Sequence, residues 1–126
     1  MAEIATVLLI DDEESLLDVI GKALESSGYL CLRAPDADNA LRILDRTPEV
    51  DVIVSDIRMP GMDGIQLLEV VRKRFAERTW LQVIFITGHA TLENSVAALR
   101  LSAVDFLNKP VRRHQLLEAV SRAVEK

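Results

Sequence analysis

The sequence predicts an α/β fold: a doubly wound parallel sheet of five strands, with five helices distributed over both faces. Five short apolar runs recur along the chain without polar alternation, which is typical of strands buried on both faces of a parallel sheet. A segment with the helical spacing of apolar residues follows each run. This strict alternation implies right-handed crossovers that place helices on both sides of the sheet.

The predicted strands are rich in aliphatic and β-branched residues, and they occupy residues 5–10, 29–34, 50–55, 81–86 and 104–108. The second strand ends in Ala34 and Pro35, without a chemically active side chain, which suits the edge of the sheet. No repeat, low-complexity tract or linker interrupts the pattern, and 126 residues match one ordinary domain. We therefore expect a single domain over residues 1–126, either a stand-alone protein or a part of a longer one.

Each predicted helix carries an apolar stripe that we expect to pack on the sheet. Asp36 or Asp38 is placed to cap the second helix, and Gly28 is placed to end the first. The stripes of the five helices, in chain order, are Leu16, Leu17, Ile20 and Leu24; Ala40, Leu41 and Leu44; Ile65, Leu68, Val71 and Phe75; Leu92, Val96 and Leu99; and Leu116, Val120 and Val124.

Composition and charge exclude several classes of function. The net charge of -5, from 15 basic and 20 acidic residues, argues against direct nucleic-acid binding by this domain. No apolar run approaches the ~20 residues of a membrane helix, and the first residues carry acids where a signal peptide carries basic residues. Cys31 is the single cysteine, so we expect a buried thiol in a reducing compartment. These features predict a cytoplasmic protein with no membrane contact.

The chemically active side chains follow the predicted strands. Asp11 and Asp12 follow the first strand, Asp56 the third, Thr87 the fourth and Lys109 the fifth. In an open α/β sheet, ligands bind beyond the carboxyl ends of the strands, where the strand order reverses. The sequence therefore predicts that these side chains meet at one site.

Three carboxylates in one pocket would either take up a proton or bind a cation. Two unit charges ~4 Å apart at an effective dielectric constant of ~20 repel each other by roughly 4 kcal/mol. An all-oxygen site with few protein ligands fits Mg²⁺, which retains several waters. Lys109 adds a positive charge and Thr87 a hydroxyl group, and both can bind phosphoryl oxygens during transfer. A carboxylate left free by the metal can act as a nucleophile and form an acyl phosphate.

Four motifs also resemble those of the response-regulator receiver domain, in order and spacing: "LLIDDEE", "VIVSDIRMPGMDG", "IFITGHA" and "DFLNKP". The resemblance covers nearly the whole chain and implies the strand order 2-1-3-4-5. It implies that Asp56 accepts a phosphoryl group from the phosphohistidine of a sensor histidine kinase or phosphotransfer protein. It also implies that Asp11, Asp12, the Asp56 side chain and the backbone carbonyl of Arg58 hold Mg²⁺.

The same resemblance implies a conformational switch between Thr87 and Phe106. Lys109 would contact the phosphoryl group, and Pro110 occupies the family's cis-proline position. The charged phosphoryl group would draw Thr87 inward, and the Phe106 ring would take the vacated space. This movement would repack the surface of the fourth helix, fifth strand and fifth helix, which we call the output face. Because the inward Phe106 ring exposes less apolar area, we expect it to favour that position even without phosphate.

Arg58 and His89 lie two residues beyond Asp56 and Thr87, at positions that line the pocket mouth in this family. A lone histidine in a loop is usually solvated, so we expect no metal-ligand role for His89. Our hypothesis is that the bulk and charge of both side chains alter the approach of water to the aspartyl phosphate. They would thereby tune the lifetime of the phosphate.

The chain departs from the family pattern at its C-terminal end. The family often has glycine where Ser102 stands and an aromatic residue where Val111 stands. Where the family often has an acidic or hydroxyl cap, this chain has Arg112, Arg113 and His114. Positive charge at a helix N-terminus costs about a few tenths of a kcal/mol. The cluster indicates either a solvated basic turn or a contact with a partner.

Each motif taken alone has a simpler interpretation. Asp12, Glu13 or Ser15 could cap the first helix, Asp56 could form a turn before "MPGMDG", and Lys109 could be solvated. The functional interpretation rests on their convergence at one edge of the sheet.

Three other classes of function fit less well. A haloacid-dehalogenase-type phosphohydrolase needs an aspartate two residues after the nucleophile, where this chain has Arg58, and no cap-forming insertion is present. A nucleotide-binding domain would carry a G-x-G-x-x-G or GK[S/T] signature, and both are absent. A degenerate receiver would lack part of the acidic set, which is complete here. We therefore expect a phosphoacceptor, not a turnover enzyme, that signals to an effector domain or partner protein; a homodimer through the output face also fits.

Overall fold

A computed structural model describes residues 4–125 and confirms the predicted α/β fold. The sheet has five parallel strands in the order β2-β1-β3-β4-β5, so β2 lies at an edge as predicted. The strands are β1 (Thr6–Ile10), β2 (Leu30–Ala34), β3 (Val50–Asp56), β4 (Gln82–Thr87) and β5 (Asp105–Asn108). The helices are α1 (Glu14–Ser26), α2 (Ala37–Arg46), α3 (Gly64–Arg74), α4 (Leu92–Arg100) and α5 (Arg113–Glu125).

The core forms two layers, one on each face of the sheet. Leu8 and Ile10 of β1 belong to the layer covered by α2, α3 and α4, whereas Val7 and Leu9 belong to the layer covered by α1 and α5. Successive side chains of a strand point to opposite faces, so a strand covered on both faces needs apolar residues at every position. This explains the apolar runs without alternation, including all five buried residues of β1.

The predicted orientation of α4 is wrong. Leu92, Val96 and Leu99, which we expected to pack on the sheet, are 83%, 39% and 75% exposed. The helix instead faces the sheet with Ala98, which is buried, and Ala97, which is partly buried. Small side chains at the contact leave the larger apolar stripe of α4 in solvent.

The ends of three other helices were also predicted, one of them correctly. Val124 of α5 is 42% exposed and lies outside the apolar contact that we predicted for it. Asp36 is the residue that caps α2, because its carboxylate accepts from the Asn39 N–H at 2.8 Å. Glu13 occupies the N-cap position of α1 but makes no capping hydrogen bond with its side chain. The interpretation of the first acidic cluster as a side-chain cap is therefore not supported.

Two single residues, Cys31 and Trp80, complete the description of the fold. Cys31 is buried, and burial together with the nearby Glu25 charge raises the pKa of its thiol to about 11, so it acts as a small apolar side chain. Trp80 donates from its indole N–H to the carbonyl of Val50 at 3.2 Å, at the start of β3, and so lies at the end of the sheet opposite the strand ends that carry the acids. Within the described part of the chain, no helix has both the length and the apolar character needed to cross a membrane.

Candidate functional site

The predicted site residues converge at the carboxyl ends of the central strands. Asp56 and Thr87 are the last residues of β3 and β4, Asp11 directly follows β1, and Lys109 directly follows β5. Asp11, Asp56 and Thr87 are among the few buried polar residues, at 1%, 5% and 1% exposed. Parallel pairing in this strand order brings these ends together, so the predicted convergence is confirmed.

The three predicted acidic residues form one cluster. Asp11, Asp12 and Asp56 each offer a carboxylate oxygen, and these oxygens all lie within 4.8 Å of one another. Asp12 is exposed, so the cluster opens to solvent on its side. The Lys109 Nζ donates to Asp56 Oδ2 at 2.9 Å and to Asp11 Oδ2 at 3.0 Å. One ammonium group thus bridges the two buried carboxylates, and the cluster keeps an excess of negative charge.

The charge of Lys109 is strongly favoured. Burial of the side chain opposes its charge, but hydrogen bonds to Asp56 and Asp11 outweigh burial and raise the pKa of Lys109 above its ordinary value. Glu13 adds a third carboxylate at 3.7 Å from Nζ. Because the pKa of Lys109 is raised in the folded state, its charged form stabilises the fold fully at any pH below the ordinary pKa of lysine. This contribution to stability is lost as the pH rises through the folded-state pKa.

Backbone donors fix the orientation of the two buried carboxylates. The N–H of Glu13 donates to Asp11 Oδ1 at 2.9 Å, and the N–H of Arg58 donates to Asp56 Oδ1 at 3.3 Å. Both carboxylates are therefore held on one oxygen by the backbone and on the other by Lys109. This arrangement preorganises their positions before any ligand binds.

A pocket of about 370 Å³ opens above Asp56. Thr87 is buried beneath the rim, and its Oγ1 accepts from the N–H of His89 at 3.2 Å. Arg58 and His89 are exposed at the rim, where they were predicted. The residues that line the pocket are Asp12, Glu13, Asp56, Arg58, Thr87, Gly88, His89 and Lys109.

Phe106 lies on β5 and packs against the core next to β4, the strand that ends at Thr87. Its ring is partly buried and meets the ring of Phe85 edge to face, with centroids 6.4 Å apart and planes at 61°. The peptide bond between Lys109 and Pro110 is cis, as the resemblance implied. How the Phe106 ring responds to phosphorylation stays a prediction.

The donor set of the acidic cluster fits Mg²⁺. Carboxylate oxygens are hard ligands, and a site with three of them and an open side leaves positions for the waters that Mg²⁺ retains. Asp11, Asp12 and Asp56 are the side chains that would hold the ion. The predicted fourth protein ligand, the carbonyl of Arg58, lies two residues after Asp56 in the turn that leads to α3.

The role of Gly64 was not predicted from the sequence. Gly64 is the first residue of α3, and its N–H donates to the carbonyl of Ile57 at 2.8 Å. A Cβ atom at this position would overlap the carbonyl oxygen of Asp56 and lie 3.0 Å from the Cα of Ile57. The glycine therefore lets the start of α3 approach the end of β3, and this approach fixes the position of Asp56.

Substitution of Gly64 by alanine is expected to lower the free energy of unfolding by about 2 kcal/mol, because the clash is with backbone atoms that cannot rotate away. Chemical denaturation of both proteins measures the difference. Gly88→Ala is the matched control, since its Cβ would meet nothing closer than 3.8 Å. Equal stability of wild type and Gly64→Ala would show that the close approach is not constrained.

Two more residues were missed. Glu13 lines the pocket and reaches Lys109, and its place in the acidic run "IDDEE" was the available signal. Arg72 of α3 donates to the carbonyls of Leu81, Leu101 and Ser102, and so ties α3 to the start of β4 and the end of α4. Nothing in the basic run "RKR" distinguishes Arg72 from its neighbours, so the sequence held no signal for it.

Comparison with known proteins agrees with this geometry. The family model of the response regulator receiver domain matches residues 7–121. The transcriptional regulatory protein GlrR of Escherichia coli is 37% identical over 121 residues, which cover 96% of this chain and 26% of that protein. The C4-dicarboxylate transport transcriptional regulatory protein DctD of Pseudomonas aeruginosa is 43% identical over 122 residues, which cover 94% of this chain and 25% of that protein. The chain thus spans about a quarter of the length of these curated relatives.

Solved structures give the same result. A response regulator receiver domain protein from Clostridium thermocellum superimposes with a TM-score of 0.88 at 32% identity, covering 97% of this chain and 95% of that one. A response regulator receiver protein from Pseudomonas putida superimposes with a TM-score of 0.89 at 30% identity, covering 97% of this chain and 99% of that one. Fold, acidic cluster and sequence therefore agree that the chain belongs to the family of response regulator receiver domains.

Proposed function

We propose that Asp56 accepts a phosphoryl group from the phosphohistidine of a sensor histidine kinase or phosphotransfer protein, and that the phosphorylated domain signals through its output face. The observation that supports this most strongly is the placement of the Asp56 carboxylate. It is nearly buried, lies in a cluster with Asp11 and Asp12, and is held 2.9 Å from the Lys109 ammonium group. Together these groups supply the nucleophile, the metal ligands and the positive charge that phosphoryl transfer requires.

In the proposed reaction, a carboxylate oxygen of Asp56 forms a bond to the phosphorus atom. The bond between phosphorus and the donor imidazole nitrogen breaks, and its electron pair returns to the imidazole. Lys109 neutralises charge on the phosphoryl oxygens, and the N–H of Arg58 continues to orient Asp56. Mg²⁺, when bound to the acidic cluster, supplies further positive charge to the same oxygens.

The proposed switch links the new charge to the output face. Thr87 is buried and lines the same pocket as Asp56, and we expect its hydroxyl group to move toward a phosphoryl group on Asp56. Phe106 packs against Phe85 of the neighbouring strand, so movement of Thr87 changes the space available to the ring. The exposed apolar stripe Leu92, Val96 and Leu99 on α4 supplies contact area on the output face.

The expected recipient of the signal is an effector. Because the curated relatives GlrR and DctD are named transcriptional regulators and are about four times longer than this chain, we infer an effector domain or a partner protein that controls transcription. The net charge of -5 does not favour nucleic-acid contact by the receiver itself. We also infer a cytoplasmic location and a phosphoacceptor role without turnover of free metabolites. A homodimer through the output face remains one way to signal.

Mass spectrometry of the intact protein tests the proposal. Wild type incubated with acetyl phosphate and Mg²⁺ is expected to gain the mass of one phosphate, and Asp56→Asn is expected to gain none. Asp51→Asn is a matched control, because Asp51 lies on the same strand but at the opposite end of the sheet. Phosphate gain by Asp56→Asn equal to wild type would refute Asp56 as the acceptor.

The rim residues give a further prediction. Arg58→Ala and His89→Ala are each expected to raise the rate of aspartyl-phosphate hydrolysis by more than about twofold, because both side chains are exposed at the mouth and limit the approach of water. The loss of phosphate is followed by intact-mass measurement after removal of acetyl phosphate. Rates that stay within about twofold of wild type would end the tuning hypothesis for that residue.

A further inference from the structure

A second polar pocket lies at the opposite end of the sheet from Asp56. It has a volume of about 320 Å³ and opens between the end of α3, the start of β4 and the loop that follows α4. Among the described residues 4–125, those that line the pocket include two arginines and no acidic residue: Arg72, Phe75, Ala76, Arg78, Thr79, Leu81, Gln82 and Ser102. Neither the family comparison nor the acidic cluster accounts for this pocket.

Both arginines are fixed in place. Arg72 donates to the carbonyls of Leu81, Leu101 and Ser102 at 2.8 to 3.2 Å, and these bonds use three of its five N–H groups. Arg78 donates to the carbonyl of Leu44 at 2.7 Å, and its guanidinium lies over the Phe75 ring at 4.3 Å from the centroid. Each guanidinium therefore has a defined position and keeps unused donors.

Within the part of the chain that the structure describes, neither guanidinium has a carboxylate partner. Among residues 4–125, the ion pairs include no contact of Arg72 or Arg78 with an acidic side chain. Arg74 provides the contrast, because it lies over the same Phe75 ring but is paired with Asp45. The pocket is thus lined by two positive charges that no acidic side chain among residues 4–125 compensates.

Both arginines of the pocket are partly buried. Burial removes part of the Arg72 guanidinium from water and lowers the pKa of Arg72. Because a guanidinium stays protonated at any physiological pH, the charge cannot be relieved by loss of a proton. Its carbonyl partners carry no negative charge, so a bound anion would compensate Arg72 directly.

We propose that this pocket binds a small phosphate-class oxyanion between Arg72 and Arg78. Planar guanidinium groups match the oxygens of phosphate and can each donate two hydrogen bonds to it. Thr79 and Gln82 add a hydroxyl and an amide group to the lining. The small volume and the net charge of -5 favour a small anion over an extended polyanion such as nucleic acid. The proposal is independent of the function proposed for Asp56, which lies at the other end of β3.

Nuclear magnetic resonance titration of ¹⁵N-labelled wild type tests the proposal without any substitution. Inorganic phosphate and the phosphomonoester O-phosphoserine are added separately, without Mg²⁺, against sodium chloride of matched ionic strength. The two probes separate free phosphate from a phosphorylated metabolite as the source of the anion. Saturable shifts centred on Thr79, Gln82, Ser102 and the arginine Nε–H signals with either probe are expected.

Two variants measure the contribution of charge in the pocket. Arg78→Gln is expected to weaken phosphate binding by about tenfold, because it removes hydrogen bonds to a charged group. Arg74→Gln is the matched control and is expected to change binding by less than about twofold, because Asp45 already compensates Arg74. The ¹⁵N spectra of both variants also report whether the fold is retained.

Three results would overturn the proposal. Shifts confined to the surroundings of Asp56 and Lys109 would place the anion in the phosphorylation pocket. Shifts that rise linearly without saturation, or that sodium chloride reproduces, would indicate general screening of surface charge. Equal weakening by Arg78→Gln and Arg74→Gln would show that the net charge of the region, and not this pocket, attracts phosphate.

Discussion

Replacing Lys109 by methionine is expected to slow phosphorylation of Asp56 by acetyl phosphate by about 100-fold or more. The Lys109 ammonium group lies 2.9 Å from Asp56 and 3.0 Å from Asp11, at the position where a phosphoryl group on Asp56 would carry negative charge. Removal of one preorganised donor to developing charge typically costs about 10²–10³ in rate. Methionine has a similar length and no charge, so it removes this donor with little change in volume.

The initial rate of phosphate gain, followed by intact mass, measures this effect. Fluorescence of Trp80 is unsuitable, because the indole lies at the opposite end of the sheet. Lys73→Met is the matched control, since Lys73 is an exposed lysine near the end of α3. Denaturation of both variants separates a loss of folding from a loss of chemistry. A rate for Lys109→Met within about threefold of wild type would exclude Lys109 from the reaction.

Removal of Mg²⁺ by a chelator is expected to lower the phosphorylation rate of wild type by at least about 100-fold. The three carboxylates of the acidic cluster exceed the single positive charge of Lys109, so without a metal they repel an incoming phosphoryl group. A divalent cation at such a site contributes several kcal/mol of charge stabilisation, and each ~1.4 kcal/mol corresponds to a factor of ten in rate.

The variant Asp12→Asn tests metal binding with little effect on folding, because Asp12 is the exposed member of the cluster. The variant is expected to need about ten times more Mg²⁺ than wild type for half-maximal rate, since it loses one charged ligand. Addition of Mg²⁺ is also expected to raise the melting temperature of wild type more than that of the variant, because an ion that binds only the folded state stabilises it. An unchanged rate in the presence of the chelator would contradict a metal-dependent reaction.

The position of the site could be predicted from the sequence because it depends on strand ends. Asp11, Asp56, Thr87 and Lys109 each end or directly follow an apolar run, and parallel pairing brings such ends to one edge of the sheet. No knowledge of side-chain packing was needed. The same reasoning predicted β2 as an edge strand, since it ends without a chemically active residue.

Which face of α4 packs on the sheet could not be predicted in the same way. An apolar stripe such as Leu92, Val96 and Leu99 has the same spacing whether it faces a core or solvent. The choice is made by tertiary packing, where Ala98 allows a closer approach of the helix to the sheet than a leucine would. For a receiver domain, the resulting exposed stripe is a reason to expect a protein contact on this face.

The structural roles of Gly64 and Ser102 could not be predicted from the sequence, for a different physical reason. The need for glycine at position 64 comes from the approach of α3 to the carbonyl of Asp56, which no local pattern encodes. Ser102 adopts a positive φ of 62°, a backbone conformation that favours glycine. The carbonyl of Ser102 accepts from Arg72 at 3.2 Å, and this tertiary hydrogen bond helps to hold the strained residue.

A crystal structure of the protein with Mg²⁺ and beryllofluoride, which mimics a phosphoryl group, tests the central claim most directly. We predict the ion in contact with carboxylate oxygens of Asp11, Asp12 and Asp56, and beryllium bonded to a carboxylate oxygen of Asp56 with Lys109 beside its fluorine atoms. An ion bound elsewhere, or beryllofluoride absent from Asp56 at saturating concentration, would contradict the account.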